Sequence, residues 1–253
     1  MKIAAISDIH GNLAALEAVL ADIEHTGVDL TVNLGDILSG PLWVAETAER
    51  LMALDLPTIA GNHERQVLTL PRERMGAADA HAVARLDERR RAWLAWLPQT
   101  LRLADDVFCC HGTPDSDLVY FLETVTPGGL RAATQAEAGE RAGDALRGMP
   151  DAVILCGQSH VPRVMRLADG RLVVNPGSVG LQAYDAGQPH AHAVENGSPH
   201  ARYAVLRREP AGWQVELRSV PYDHEAAARL AEANDRGDWA DALRTGFVGR
   251  REA

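Results

Sequence analysis

The first hundred residues alternate short apolar runs with segments of helical periodicity. Ile3–Ile6, Leu30–Leu34 and Thr58–Ala60 are predicted as strands because each is a short apolar run. Between them, leucines recur at helical spacing from Leu13 onward, and Val44–Leu54 predicts a second helix. Such alternation is typical of parallel βαβ units.

A longer helical stretch follows at Arg72–Leu97. We expect it to break near Gly76 and to end before Pro98, because glycine and proline both interrupt helices. Trp93 and Trp96 lie on a helical face of this stretch and are predicted to pack in the core.

The second part of the chain is predicted to be mostly antiparallel, because short apolar runs follow one another with tight turns such as Asp169-Gly170. Leu101–Leu103 and Val107–Cys110 are expected to form a hairpin. The Ala-rich segment Glu225–Leu243 predicts a closing helix. Further strands are predicted at Val153–Cys156, Val164–Leu167, Leu172–Asn175, Tyr203–Arg207 and Trp213–Val220.

Two segments, 113–129 and 182–200, are predicted as loops. The second contains His190, His192 and His200, which we interpret as residues of a solvated loop. No repeat or low-complexity linker marks a boundary, so one α/β domain over residues 1–253 is expected.

Composition narrows the possible partners and location. The formal net charge of −10 argues against extended nucleic-acid binding, which requires dense Lys and Arg surfaces. The three cysteines, Cys109, Cys110 and Cys156, lack metal-binding spacing and are expected to be small buried residues in a reducing compartment. No apolar stretch approaches a signal or membrane-spanning segment, so a cytoplasmic protein without membrane partners is predicted.

Potential metal ligands follow five of the apolar runs. In α/β sheets, ligands bind at the carboxyl ends of strands, where the connecting loops gather. Five runs that deliver Asp, His and Asn to one edge therefore predict a single polar site. Taken singly, each residue is better explained as a helix cap, a turn residue or a core histidine, but their joint occurrence favours a ligand set. The motifs are Asp8-Ile9-His10, Gly35-Asp36, Gly61-Asn62-His63-Glu64, His111-Gly112 and Gly157-Gln158-Ser159-His160.

In their order and content these motifs resemble the calcineurin-like metallophosphoesterases. The run Asn175–Gly180 is similar to the small bacterial, phosphodiesterase-type members. The resemblance implies a four-layer α/β/β/α sandwich with two mixed β-sheets flanked by helices. It also implies a metal-dependent hydrolase that acts on a small phosphate ester, and a phosphodiester or nucleotide-like substrate is expected.

The resemblance also implies a role for each matched residue. One divalent metal would be held by Asp8, His10 and His160, and a second by Asn62, His111 and Gln158, with Asp36 bridging the two. A hydroxide between the metals would attack phosphorus in line, and His63 would assist the departure of the leaving group.

Two departures from the family pattern refine these expectations. Gln158 stands where the family has histidine, and its amide oxygen is a poorer ligand than imidazole for borderline-soft metals. The second site is therefore expected to be weak and to favour Mn, ahead of Mg, Fe, Zn or Ni. The segment 37–41 after Asp36 lacks the arginine of the Ser/Thr protein phosphatases of this superfamily, which disfavours that activity.

One alternative from a different class remains open. A chain with a damaged second site could be a non-catalytic metal-binding scaffold or interaction protein that kept the phosphoesterase fold. Gln158 favours the scaffold, and the presence of His63 favours the enzyme. A homo-oligomer is compatible with the sequence under either interpretation.

Overall fold

The first strand shows how the chain is layered. In the computed structural model, which describes residues 1–249, β1 spans Lys2–Ile6. Ile3 and Ala5 pack into the core between two sheets, whereas Ala4 and Ile6 pack against helices on the opposite face. Because side chains alternate along a strand, a strand buried on both faces needs apolar residues at every position.

The described chain contains thirteen strands and eight α-helices. The strands are β1 (Lys2–Ile6), β2 (Leu30–Asn33), β3 (Thr100–Ala104), β4 (Val107–Cys110), β5 (Glu123–Thr126), β6 (Gly129–Ala132), β7 (Val153–Leu155), β8 (Arg163–Arg166), β9 (Leu172–Asn175), β10 (Ala183–Ala186), β11 (His192–Glu195), β12 (Ala201–Glu209) and β13 (Gly212–Val220). The helices are α1 (Leu13–Thr26), α2 (Val44–Leu54), α3 (Asn62–Thr69), α4 (Ala77–Val83), α5 (Glu88–Trp96), α6 (Gln135–Ala142), α7 (His224–Ala233) and α8 (Gly237–Thr245).

Two mixed sheets form the inner layers. The first has the order β13-β12-β1-β2, with β1 parallel to β2 and antiparallel to β12. The second has the order β3-β4-β7-β9-β8, with β4, β7 and β9 parallel to one another. Apolar side chains of both sheets meet in one shared core, and the outer faces pack against helices, chiefly α1 and α2 on one side and α6 on the other. The predicted four-layer α/β/β/α sandwich is confirmed.

Strand direction in the second part corrects one prediction. The sequence predicts that Val153–Cys156 and Leu172–Asn175 are antiparallel strands, but β4, β7 and β9 run parallel. The long connections that contain α6 and β8 allow this, since parallel neighbours need a crossover. Parallel β4 and β7 direct both of their carboxyl ends, and hence His111 and the 157–160 loop, toward the same edge. The predicted hairpin of β3 and β4 is confirmed.

Two of the predicted helices are each divided. The stretch Arg72–Leu97 forms a 3₁₀ turn at Arg72–Arg74 followed by α4 and α5. The closing helix is divided into α7 and α8, with Asp235 between them in a left-handed conformation. Helix boundaries of this kind depend on packing and on single backbone conformations, which apolar periodicity does not record.

Three smaller predictions are also corrected. Trp96 is 87% exposed and does not pack in the core, whereas Trp93 is partly buried against it. Helices α3 and α6 are not predicted by the apolar pattern. Thr58 forms only an isolated bridge with Asn33 in place of the expected strand.

Both segments predicted as loops include strands of a hairpin. The segment 113–129 contains β5 and ends at the start of its partner β6, and 182–200 contains the whole hairpin of β10 and β11. His192 is buried rather than solvated. The three cysteines are free and buried, as expected. None of the helices among residues 1–249 is long and apolar enough to span a bilayer.

Candidate metal centre

The strand-end loops that carry the predicted ligands are bonded to one another through their backbones. The Asp8 amide donates to the Gly35 carbonyl at 2.9 Å, which ties the loop after β1 to the loop after β2. The Gly157 amide donates to the His111 carbonyl at 2.7 Å, which ties the loops after β7 and β4. Residues that are far apart in sequence are therefore held in a single cup by backbone hydrogen bonds.

An uncommon backbone conformation recurs among the candidate ligands. Within residues 1–249, eight non-glycine residues have a positive φ, and five of them belong to the predicted site. A left-handed residue other than glycine carries roughly 1–2 kcal/mol of strain. Such strain persists where the surrounding structure over-determines it, and it clusters at functional sites. The five have φ between 52° and 69°: Asp8, His10, Asp36, Gln158 and His160.

Three histidines present the same ring nitrogen to the cup. The Nδ1 atoms of His10, His111 and His160 each donate to a backbone carbonyl, at distances of 2.7, 2.7 and 2.8 Å. The carbonyl can only accept, so each Nδ1 carries the proton and each Nε2 is directed toward the site. This arrangement of a carbonyl behind each ring is the usual support for a metal-binding imidazole.

The Nε2 atoms lie close to one another and to carboxylate oxygens. His10 Nε2 is 3.1 Å from His160 Nε2, which in turn is 3.2 Å from Asp8 Oδ1. His111 Nε2 lies 3.0 Å from Asp36 Oδ2 and 3.9 Å from Asp8 Oδ1. The ligand atoms form two groups suited to a metal, Asp8–His10–His160 and Asp8–Asp36–His111.

Several buried polar atoms of the cup lack a hydrogen-bond partner. Both carboxylate oxygens of Asp8 accept no hydrogen bond, although the residue is 0% exposed, and His111 Nε2 also has none despite its short contact with Asp36. A buried, unpaired carboxylate is costly unless a cation neutralises it. The donor set therefore fits divalent metal ions.

The charges of the cup shift the pKa of its own groups. Burial lowers the pKa of His10 to about 4, with the neighbouring His160 adding to the effect, so His10 is neutral at pH 7. For His111, burial acts in the same direction, but the negative charge of Asp36 outweighs it and raises the pKa to about 10. Burial would raise the pKa of Asp36, yet His111 and His63 hold it well below its usual range. His111 and Asp36 thus each favour the charged form of the other.

Glu64 holds two backbone segments of the site together, a role that was not predicted from the sequence. Its carboxylate is 2% exposed and accepts from the backbone amides of Asp36, Ile37 and Gly61, each at 2.8 Å. One side chain therefore holds the loop after β2 against the start of α3. A Cβ on Gly61 would clash with Asp36 Oδ1, so only glycine allows this approach.

His63 has a partner that sequence reasoning missed. His63 Nδ1 lies 2.6 Å from Asp79 Oδ1, and Asp79 is buried in α4. Burial would lower the pKa of His63, but the charge of Asp36 and the hydrogen bond to Asp79 together raise it to about 9. No motif marks Asp79, because the contact depends on how α4 packs against α3.

The amides of Asn62 and Gln158 are paired with each other. Gln158 Nε2 donates to Asn62 Oδ1 at 3.1 Å. In this arrangement the Gln158 N–H group and the Asn62 amide oxygen are directed at each other. Asn62 and His63, which are adjacent in sequence, have separate partners, Gln158 and Asp79.

An aromatic group covers the cup on one side. Tyr120 lines the cavity, and its hydroxyl lies 2.8 Å from that of Tyr184 and 3.0 Å from His192 Nε2. Tyr184 also packs its ring edge-on against the candidate ligand His160, with ring centroids 4.7 Å apart. The hairpin of β10 and β11 is thereby attached to the metal centre.

Asn175 and Ser178 support the loops of the site. Both side chains are buried beneath the cup and do not line it. Asn175 donates to the Gly157 carbonyl, and the Ser178 hydroxyl donates to the Asp8 carbonyl. The run after β9 therefore holds two ligand-bearing loops in place.

Comparison with known proteins assigns the chain to a class and a family. The layered fold and the cluster of carboxylate and imidazole donors are those of a metal-dependent hydrolase. The sequence matches the calcineurin-like phosphoesterase superfamily domain over residues 1–195, and the chain belongs to that superfamily. It is therefore a metallophosphoesterase, and the resemblance seen in the five motifs is confirmed.

Individual relatives add detail about the fold. The crystal structure of a metallophosphoesterase from Sphaerobacter thermophilus is similar at a TM-score of 0.72 and 24% identity, over 97% of this chain and 99% of that one. The hypothetical protein PH1004 from Pyrococcus horikoshii OT3 is similar at 0.73 and 18% identity, over 98% and 99%. The uncharacterized protein MJ0912 of Methanocaldococcus jannaschii is 44% identical over 66 residues, which are 26% of this chain and 27% of that protein.

Proposed function

We propose that this metallophosphoesterase hydrolyses a small phosphodiester or nucleotide-like ester with two divalent cations. The main support is the set of three imidazoles whose Nδ1 atoms are bonded to carbonyls, facing a buried Asp8 carboxylate without any hydrogen-bond donor. Bound cations would supply an activated water at neutral pH and would neutralise the phosphoryl oxygens. The residues proposed to hold the cations are Asp8, His10, Asp36, Asn62, His111, Gln158 and His160.

The chain's own residues then bind, orient and move a proton. Asp79 orients the His63 ring by accepting from Nδ1, which leaves Nε2 for the leaving oxygen. The hydrogen bond and the negative charge of Asp79 raise the pKa of His63 and favour the protonated ring, which is suited to donate. Water adds to phosphorus, the bond from phosphorus to the leaving oxygen breaks, and that oxygen takes the proton. A diester and water thus yield a monoester and an alcohol.

Mn is proposed as the first choice of metal, with Mg, Fe, Zn or Ni as the alternatives to test. Gln158 supports this order, since an amide is a harder ligand than the imidazole that the family has there. The non-catalytic scaffold is disfavoured by the paired His63 and Asp79, which a protein without turnover would not need. A single domain over residues 1–253, a cytoplasmic location and homo-oligomerisation stay predictions.

Metal removal and restoration tests this proposal. The protein is stripped with a chelator, and hydrolysis of bis-p-nitrophenyl phosphate is followed while Mn, Mg, Zn, Fe or Ni is added back singly. We expect turnover to return with Mn and to be lost in His63→Ala. The matched control is His25→Ala, an exposed histidine of α1. No turnover with any ion, in the wild type or in Gln158→His, would contradict the enzymatic proposal.

A further inference from the structure

The cavity over the metal centre extends well beyond the space that a phosphate group needs. It has a volume of about 760 Å³ and runs from the histidines of the metal centre to β5 and the hairpin of β10 and β11. The site already described occupies only its floor. The remaining walls come from segments 118–125 and 181–189, together with Trp239 of α8.

These walls are largely apolar and partly exposed. Leu118 and Val119 are 54% and 44% exposed, and they are adjacent members of the small group of large apolar side chains that face solvent within residues 1–249. Val125, Leu181 and Trp239 also line the cavity. Leu181 and Trp239 lie beside the metal centre, where the Leu181 carbonyl accepts from His160 Nδ1 and the Trp239 ring packs against that of His10. An apolar surface that is contiguous with a catalytic centre indicates a binding site for an apolar group.

Positive charge is scarce in the same cavity. Arg141 is the one lysine or arginine that lines it among the described residues. Its guanidinium already donates to the carbonyls of Phe121 and Glu123 and to the Thr124 hydroxyl. Glu123 also lines the cavity, but it is 2% exposed and already paired with Arg163 and the Ser159 hydroxyl. Asp185 is the exposed carboxylate of the lining. A second or third phosphate placed here would therefore meet the Asp185 carboxylate and an arginine that is already engaged.

We propose that this wall, formed by Leu118, Val119, Val125, Leu181 and Trp239, binds an uncharged apolar group of the substrate, an alkyl or aryl alcohol esterified to a single phosphate. The inference rests on the proposed function, which places that phosphate at the metal centre, and it narrows the substrate class. Polyphosphate esters fit the cavity poorly.

The test is equilibrium binding of a series of alkylphosphonates to the Mn-loaded protein by calorimetry. Methyl-, butyl- and octylphosphonate carry the same charged group, so their dissociation constants differ through the alkyl chain. We expect the dissociation constant to fall about two- to fourfold for each methylene that reaches the wall, as burial of apolar surface predicts. Dissociation constants that do not change with chain length in the wild type would overturn the inference.

Two variants and a control assign the effect to the wall. Leu118→Asn and Val119→Asn should flatten the dependence on chain length and leave methylphosphonate binding within about twofold of the wild type. Because both side chains are already about half exposed, neither change should unfold the protein. Val164→Asn, on β8 and 40% exposed, is the matched control and should behave as the wild type. An unaltered dependence in both wall variants would contradict the assignment.

Turnover separates this inference from the proposed function. Failure to hydrolyse any ester would refute the function, while the phosphonate series would still decide whether the wall binds alkyl chains. Hydrolysis of a dinucleoside tetraphosphate with a kcat/KM equal to or above that of bis-p-nitrophenyl phosphate would overturn the preference for a single phosphate. A lower kcat/KM for the tetraphosphate would support it.

Discussion

The floor and the wall of the cavity are built in opposite ways. Every ligand candidate on the floor follows a strand or begins a helix, and the loops that carry them are bonded to one another. The wall comes from residues between elements, such as Leu118 and Val119, from Val125 of β5, and from Trp239 of α8. The proposed chemistry thus depends on short local motifs, whereas the proposed substrate selection depends on segments brought together from distant parts of the fold. The two can vary independently, and mutation can test this.

The largest expected effect is at the floor. Asp36→Asn should lower kcat/KM by about 10³-fold or more, the range found when an essential catalytic group is removed. Metal content measured by mass spectrometry should fall in parallel, because Asp36 belongs to one of the two ligand groups. Substrate discrimination by the wall should be unaffected, so the phosphonate series separates the two regions.

Asp55→Asn is the matched control for this change. Asp55 is also left-handed, with φ of 50°, but it is exposed at the end of α2. Since asparagine tolerates this conformation as well as aspartate does, any loss specific to position 36 reports on the carboxylate. Equal losses in both variants would point to backbone strain instead.

The His63–Asp79 pair should show the next largest effect. His63→Ala is expected to lower kcat by about 10²- to 10⁴-fold, the range for general acid–base catalysis. Asp79→Asn should cost about 10- to 100-fold, as for other groups that orient an active residue. Steady-state kinetics on the Mn-loaded variants measures both losses.

The pH profile distinguishes orientation from simple damage. The pKa of His63 is raised, so its acid form predominates below that pKa and is lost as pH rises through about 9. Asp79→Asn removes a negative charge that favours the protonated ring and should move this basic limb to lower pH. A rate loss with the limb unmoved would contradict the role given to Asp79.

Removing the backbone contacts of Glu64 should have a smaller effect, which should be visible in both the free energy of unfolding and the metal affinity. In Glu64→Gln an NH₂ group replaces one of the two carboxylate oxygens that accept hydrogen bonds from backbone amides. A backbone N–H group then faces a second donor instead of an acceptor. We expect a loss of about 1–3 kcal/mol in the free energy of unfolding, the cost of an unsatisfied buried donor. Metal affinity, measured by calorimetry, should fall about 10- to 100-fold. Glu73→Gln, exposed in the 3₁₀ turn, should leave both quantities unchanged.

The smallest expected effect among the ligand candidates is an increase in metal affinity. Gln158→His supplies an imidazole where the amide now donates to Asn62, and we expect Zn or Ni to bind the second site about tenfold more tightly. Competition with a chromogenic chelator measures this affinity. Unchanged affinity would show that residue 158 is not a ligand and would leave six ligand candidates.

The motifs between positions 8 and 160 show how much of the site could be predicted from the sequence. They give seven ligand candidates, and the structure brings the ligand atoms of five of them together in two groups: Asp8, His10, Asp36, His111 and His160. The roles of Glu64 and Asp79 were not predicted. Their contacts join separate elements, α3 with the loop after β2 and α4 with α3, and no local pattern encodes such pairings.

The same division explains the errors about the fold. Alternating apolar runs predict most of the strands, because burial on one or both faces requires those patterns. They do not predict that β4, β7 and β9 run parallel, since strand direction depends on the crossovers between strands. Nor do they reveal the hairpin of β10 and β11, where polar residues face solvent and only Ala183, His192 and Val194 are buried.

Residue types at short spacing along the chain were enough to specify the family, the layers it implies and the identity of the ligand candidates. Tertiary packing was needed to show which carboxylate lacks a donor, which side chain orients His63, and what lines the cavity above the metal centre. Those properties depend on contacts between residues that are distant in sequence, such as His10 on the floor and Trp239 on the wall, whose rings lie 5.8 Å apart. Contacts of that kind arise from the packing of whole elements, which no local pattern of residues specifies.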